Sequence, residues 1–135
     1  MQTGFQSLYY AGICDQDGRN WKATQPVEYL SRSGVLYRIP VGAATDGASI
    51  PAIFWAKLPP FGRYWLAAVL HDAAYQNTLQ LADGLKAFPH ATDRPLCDLL
   101  LKEAMEASGV GPVSVDVIYE AVRLCGAGSF KQDRS

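Results

Sequence analysis

Residues 63–76 read Arg-Tyr-Trp-Leu-Ala-Ala-Val-Leu-His-Asp-Ala-Ala-Tyr-Gln, and the chain is organised around them. The stretch has no glycine or proline and is rich in alanine and leucine, so it reads as a helix. Tyr64, Leu66, Ala67, Leu70 and Ala74 give it a broad apolar surface. A helix this apolar belongs mostly inside the protein, which puts His71 in or beside the core. On that helix His71 and Tyr75 are i, i+4 neighbours on one face, while Asp72 points about 100° away. Upstream, Thr45-Asp46-Gly47-Ala48-Ser49-Ile50-Pro51 reads as a tight turn. Asp46-Gly47 is a strong turn dipeptide, Ser49 can bond backbone groups locally, and Pro51 stops a strand from continuing.

The elements before this helix read as strands. Phe5 to Ile13 is strand-like, and Asp15 to Asn20 is polar with Asp17-Gly18 as a hairpin turn. Val27 to Leu30 supplies a second strand, Ser31 to Gly34 a turn, and Val35 to Val41 a third strand that Pro40 marks as an edge or an end. Ala52 to Ala56 can form one helical turn, which Pro59-Pro60-Phe61-Gly62 breaks before launching the main helix. After it, Asn77 to Ala91 is a long connection with turn signals at Asp83-Gly84 and Phe88-Pro89 and a short helical piece at Leu79–Ala82. Thr92-Asp93 reads as an N-cap with Pro95 in the first turn. Leu96, Leu99, Leu100 and Ala104 follow at helical spacing, and the helix closes near Ser108-Gly109. Ser114 caps a last helix, Val115 to Leu124, ended by Gly126, and Ser129 to Ser135 is a polar tail with one aromatic, Phe130. The expected fold is α+β: a small N-terminal antiparallel sheet followed by about three helices, with a central antiparallel helix pair.

The chain of 135 residues suits one domain, 1–135, with no repeat or internal boundary. Apolar residues make up 49% and charged residues 19%, enough for a real core and too little charge for disorder. Net charge is −1 with no basic run, which argues against a nucleic-acid partner. Cys14, Cys97 and Cys125 are odd in number and widely spaced. They read as small buried hydrophobes or free thiols in a reducing compartment, and not as a disulfide or zinc framework. The N-terminal residues carry no signal-peptide pattern, and no apolar run is long enough to span a bilayer.

The candidate chemistry comes from four separated polar groups. With the two main helices antiparallel, Asp98 can face His71. A carboxylate on one imidazole nitrogen fixes the tautomer and leaves the other nitrogen as a base toward water. Asp46 and Asp72, with turn carbonyls such as that of Gly47, can hold a hard cation such as calcium. That ion would polarise an ester carbonyl and stabilise the oxyanion. Each residue also has a structural reading. His71 can be a satisfied core histidine, and Asp72 can pair with Arg63 or Arg94. Asp98 can bond a tyrosine, Asp46 can simply form a turn, and Tyr75 can pack with its hydroxyl on Asp98. A buried polar network satisfies the same physics as a catalytic group.

Two resemblances follow from these residues. Thr45-Asp46-Gly47-Ala48-Ser49-Ile50-Pro51, Pro59 to Tyr64, His71-Asp72 with Tyr75, Asp98 before Ala104-Met105, and Tyr119 with Ala121-Val122-Arg123 resemble a family of uncharacterised phage and bacterial proteins, a domain of unknown function, over roughly Val35 to Gly126. That likeness implies a phage or prophage protein made in the host cytoplasm. Its partners would be other phage proteins in a virion or tail, and an oligomer remains open. More loosely, the order Asp-Gly-x-Ser, Phe-Gly, His-Asp-x-x-Tyr and a later helical Asp is similar to the prokaryotic and fungal type of phospholipase A2. That resemblance implies His71 as general base, Asp98 as its orienting carboxylate, Asp72 as a calcium ligand and the Asp46-Gly47 turn as a source of further ligands, with phospholipid as substrate. The chain departs from that type where cysteines would stand: Ala48 lies beside the turn, and Val69 or nearby apolar residues precede the histidine. Two functions are therefore carried forward: a phospholipase A2-like, calcium-assisted ester hydrolase, and a phage structural component whose His/Asp cluster is a folding network.

Overall fold

The structure is a computed structural model and describes residues 2–6, 12–14, 21–45, 50 and 63–134. Its strands are β1 (Gly4–Phe5), β2 (Gly12–Cys14), β3 (Trp21–Ala23), β4 (Val27–Leu30), β5 (Leu36–Ile39), β6 (Ala44–Thr45) and β7 (Gln80–Leu81). The helices are α1 (Arg63–Tyr75), α2 (Arg94–Ala107) and α3 (Pro112–Cys125), and a 3-10 turn spans Gly126–Ser129. The α+β architecture expected from the pattern is present, with one refinement. The strands form two antiparallel sheets, ordered β1-β4-β5-β7 and β2-β3-β6.

Local sequence explains most of these elements. The β4–β5 hairpin pairs Val27 with Ile39 and Leu30 with Leu36. Its turn is closed by Gly34 at φ 89°, a left-handed conformation that glycine adopts without cost, and Pro40 follows directly on β5. The β2 and β3 strands pair antiparallel on either side of residues 15–20, with Cys14 opposite Trp21; the expected Asp17-Gly18 turn itself lies outside the described residues, as does the helical turn expected at 52–56. Leu79–Ala82 is not helical. Asn77 takes φ 63° and ends α1, and Gln80 and Leu81 then pair with Arg38 and Tyr37 of β5. The reason is an available sheet edge: two residues of extended chain satisfy backbone groups there that an isolated helical turn would leave to water.

Every residue from Trp65 to Tyr75 is buried. The helix is covered on all sides, as its all-round apolarity requires. Among the described elements it packs mainly against α2 and β6. His71 and Tyr75 of α1 meet Asp98 and Arg94 of α2 in that order, so the two helices run antiparallel. Arg94 reaches the Val122 carbonyl of α3 and Lys102 lies over the Tyr119 ring, so α2 and α3 are antiparallel too. The buried face of α2 is Cys97, Asp98, Leu100, Leu101, Ala104 and Met105. Leu96 and Leu99, expected in the apolar stripe, are about half exposed; the helix is rotated so that Asp98, and not a leucine, faces α1. The last helix starts earlier than expected, at Pro112. Proline at the first helical position arrives with its φ already helical, so Ser114 falls inside the first turn. Tyr29 of β4 donates its hydroxyl to Glu103, which also accepts from the Arg32 backbone, and this ties the larger sheet to α2.

Leu101 is fully enclosed and Leu124 is 83% exposed. Leu101→Ala should lower the unfolding free energy by about 2–5 kcal/mol, whereas Leu124→Ala should change it by less than ~0.5 kcal/mol. Urea titration followed by circular dichroism measures both.

Candidate functional site

The site is built where three helices meet on one carboxylate. Asp98 is fully buried. Its Oδ1 accepts from His71 Nε2 at 2.7 Å and from the Tyr75 hydroxyl at 2.5 Å. Its Oδ2 accepts from Arg123 Nη1 of α3 at 2.5 Å, and Arg94 Nη1 lies 3.7 Å away. The spacing on α1 makes the first pair possible, because i and i+4 side chains stack on one face and both can reach a single residue of the facing helix. Arg94 also donates to the Tyr75 hydroxyl at 3.3 Å and to the carbonyls of Val122 and Arg123 at 3.3 and 3.0 Å. It therefore satisfies carbonyls in the last turn of α3, where a cation is favoured. At Gly126 a Cβ would lie 2.8 Å from the Tyr75 hydroxyl, so a residue without a side chain is required for α3 to end this close to the site.

Electrostatics follow from burial. Full enclosure pushes the His71 pKa down, against the opposing pull of its Asp98 bond, so the imidazole is neutral at pH 7. Burial alone would raise Asp98, but the hydrogen bonds from His71, Tyr75 and Arg123 together hold it below the usual carboxylate range. With His71 neutral, the positive charge that balances Asp98 comes from Arg123 and Arg94. Burial and the Asp98 bond push the Tyr75 phenol well above its ordinary range, so it stays protonated as a donor. Because Asp98 is an anion, the proton shared with His71 sits on Nε2, and Nδ1 is the basic nitrogen.

Asp72, one residue on, faces another way. It is 1% exposed and its Oδ2 accepts from the Thr45 hydroxyl of β6. Of the two pairings open to Asp72, the one with Arg94 is not formed, since Arg94 is committed to Tyr75, Asp98 and the end of α3; the Arg63 side chain lies outside the described residues. Asp46 and Gly47, the other two expected ligands, lie outside the described residues. The structure thus brings together His71, Tyr75 and Asp98, and carries Asp72 to the end of β6, directly before Asp46 in sequence. His90 is exposed in the connection. Cys97 and Cys125 carry free thiols; burial pushes Cys97 up to about 12, which removes it as a nucleophile at neutral pH.

Sequence reading missed Arg123, Arg94 and Thr45 as members of this site. Arg123 had a signal: an arginine near the end of an apolar helix, in a chain with a buried acid left to balance. Arg94 beside Pro95 looks like an ordinary first-turn residue, and only the packing of α2 on α3 gives it its role.

Calcium can be tested against the donors. Asp72 and Thr45 offer three hard oxygens, of the kind calcium prefers, against the six to eight it takes. Among the described residues no group of three or more His, Cys, Asp or Glu side chains is placed to hold a metal. The chemistry of these donors fits, and the other expected ligands, Asp46 and Gly47, lie outside the described residues. Among the described residues no helix is long and apolar enough to cross a membrane.

Two outcomes test this arrangement. Asp98→Asn leaves the Arg94 and Arg123 charges uncompensated and should cost about 3–5 kcal/mol, read from denaturant unfolding at pH 7.5. Stability should also fall with acid in two stages. The unfolded chain takes up the histidine proton below about pH 6.5, which the folded chain resists, and below about pH 4 it takes up the Asp98 proton as well. Both groups have depressed folded pKa values, so their stabilisation is complete above about pH 7 and is lost as pH falls. His71→Asn should flatten the upper stage between pH 7 and 5.

No curated protein and no solved structure matches the chain. A family model described as a protein of unknown function, DUF1353, matches residues 21–122, about three quarters of the 135 residues. The match takes in β3 through most of α3, including His71, Asp72, Tyr75, Arg94 and Asp98, and the chain belongs to the DUF1353 family.

Proposed function

We propose that this chain is a hydrolase of ester bonds, phospholipase A2-like in its machinery, in which His71 is the general base and Asp98 its orienting carboxylate. One observation carries the reading: on antiparallel α1 and α2, the His71 Nε2 to Asp98 bond of 2.7 Å fixes the imidazole tautomer, with Tyr75 and Arg123 locking the carboxylate from two sides. Such a dyad holds the basic Nδ1 lone pair in one direction. In the proposed step Nδ1 takes a proton from water, water oxygen bonds to the ester carbonyl carbon, and the proton passes to the departing alkoxide as the ester C–O bond breaks. Asp98 remains an anion throughout and stabilises the imidazolium that forms. Calcium, held by Asp72 with Asp46 and the Gly47 carbonyl, would supply charge stabilisation for the oxyanion.

A further feature supports a ligand on the Asp72 side of α1. Trp65 Nε1 is buried and has no hydrogen-bond partner among the described residues. It lies two turns before Asp72 on the same side of the helix. An orphan donor costs about 1–3 kcal/mol, a cost that a substrate oxygen would remove. Because His71 is fully enclosed, turnover requires the enclosure to open to water and substrate.

That enclosure favours a second reading, in which the dyad is a folding network in a phage protein. The chain would then be made in the host cytoplasm and assembled, alone or as an oligomer, with other virion or tail proteins. The two readings separate cleanly. The hydrolase reading expects calcium-dependent fatty-acid release from phospholipid vesicles, reduced at least ~10³-fold in His71→Asn with the circular dichroism spectrum unchanged. No release by the wild-type chain, together with no calcium binding by calorimetry, rejects it. The second reading expects the chain in purified virions, and its absence there rejects that one.

A further inference from the structure

The last residues of the chain do more than trail from α3. Arg134 is 6% exposed, unusual for a residue whose charge is best left in water. Its guanidinium donates to four carbonyls: Phe88 from Nε at 2.9 Å, Tyr75 and Lys131 from Nη1 at 2.9 and 3.2 Å, and Ala74 from Nη2 at 2.7 Å. Ala74 and Tyr75 are the last two residues of α1, whose terminal carbonyls have no partner within the helix and carry its negative dipole end. The arm is fixed at three further points. Lys131 N donates to the Tyr75 carbonyl at 3.0 Å, Asn77 Nδ2 donates to the Arg134 carbonyl at 3.2 Å, and the guanidinium lies 4.3 Å over the Phe130 ring. Phe130 in turn meets the Tyr75 ring edge-on at 5.3 Å.

Tyr75 is therefore gripped by its backbone, through Lys131 and Arg134, and by its ring, through Phe130. Its hydroxyl is the group that shares Asp98 Oδ1 with His71. A rotation of the Tyr75 ring would break a 2.5 Å bond to a buried anion and leave Oδ1 with His71 alone. Residues 126–134 also lie outside the stretch the family model matches.

From this we infer that Arg134 is a positioning residue for the Tyr75–Asp98–His71 network, clamping the C-terminal end of α1 so that the Tyr75 hydroxyl stays on Asp98. A purely supportive arm would add stability to the whole fold and leave the network unchanged in molecules that are folded. A positioning arm sets the geometry of the network within the folded state. Any consequence for turnover rests on the hydrolase reading; the geometric role does not, and it is measurable in a chain that hydrolyses nothing.

The test uses the full chain with labelled tyrosine and follows the Tyr75 hydroxyl proton by NMR. In the wild type this proton is held between buried groups and should exchange slowly, giving a resolved low-field signal. In Arg134→Gln, with the backbone amide spectrum of α2 and α3 preserved, the hydroxyl should exchange about tenfold faster, the ratio that ~1.4 kcal/mol of local opening produces. Millimolar guanidinium should restore slow exchange where the same concentration of potassium chloride does not. Unchanged exchange in the folded variant overturns the inference. If Arg134→Gln does not fold, the same measurement is made on Arg134→Lys, which keeps the charge but cannot fork across four carbonyls, and unchanged exchange there overturns it equally.

Discussion

Burying a carboxylate costs several kcal/mol unless charge and hydrogen bonds replace the water it loses. Asp98 sits at the centre of this protein under that constraint, and the arrangement of three helices follows from how it is met. No single element could supply enough donors. His71 and Tyr75 come from α1, Arg123 from α3, and Arg94 from the first turn of α2 itself. Each donor fixes a separate degree of freedom: the face of α1 turned to α2, the rotation of α2 that leaves Leu96 and Leu99 at the surface, and the point where α3 must end, at Gly126. Apolar packing holds the helices together, and the carboxylate decides how they are set.

The same constraint explains why α1 is wrapped on every side. Its apolar side chains would be covered by almost any fold. Its buried His71 and Asp72, adjacent and pointing about 100° apart, need different neighbours. His71 turns toward α2 and Asp72 toward β6, where Thr45 donates to it. Together they require helices on one side of α1 and sheet on another, which is the two-layer arrangement the chain adopts. The smaller sheet, ordered β2-β3-β6, brings Thr45 to Asp72 and ends directly before Asp46 in sequence.

Much of this is legible in the residues alone, and for identifiable reasons. The α1 helix declares itself by composition, the β4–β5 hairpin by β-branched and aromatic runs around a glycine turn, and the His71–Asp98 meeting by helical spacing plus a connection long enough to reverse direction. What could not be read is long-range and depends on competition. Leu79–Ala82 has no intrinsic reason to be extended; a free β5 edge makes it so. Leu96 and Leu99 fit an apolar stripe as well as Leu100 and Leu101 do, and only the need to turn Asp98 inward selects between the two. The polar tail shows no role in the sequence because the groups it satisfies are backbone carbonyls, which leave no mark there. Arg134 is indistinguishable there from any terminal arginine.

The proposed hydrolase chemistry would give the residues found here a use beyond stability. Replacing a buried ionic cluster by apolar side chains of similar volume is often neutral or stabilising, and an asparagine could supply the single hydrogen bond that His71 gives to Asp98 Oδ1. Histidine adds one thing asparagine cannot: a second nitrogen, basic because the first is held as a donor. The arrangement secures that property at some expense, with a neutral imidazole kept below its ordinary pKa by burial and an anion balanced by guanidiniums on the far side of the carboxylate, not by the ring. Asp72 repeats the pattern on the next residue with a second enclosed acid. Two buried carboxylates, Asp72 on α1 and Asp98 on α2, and one oriented imidazole are costly to hold, an expense for which the proposed hydrolase chemistry would account.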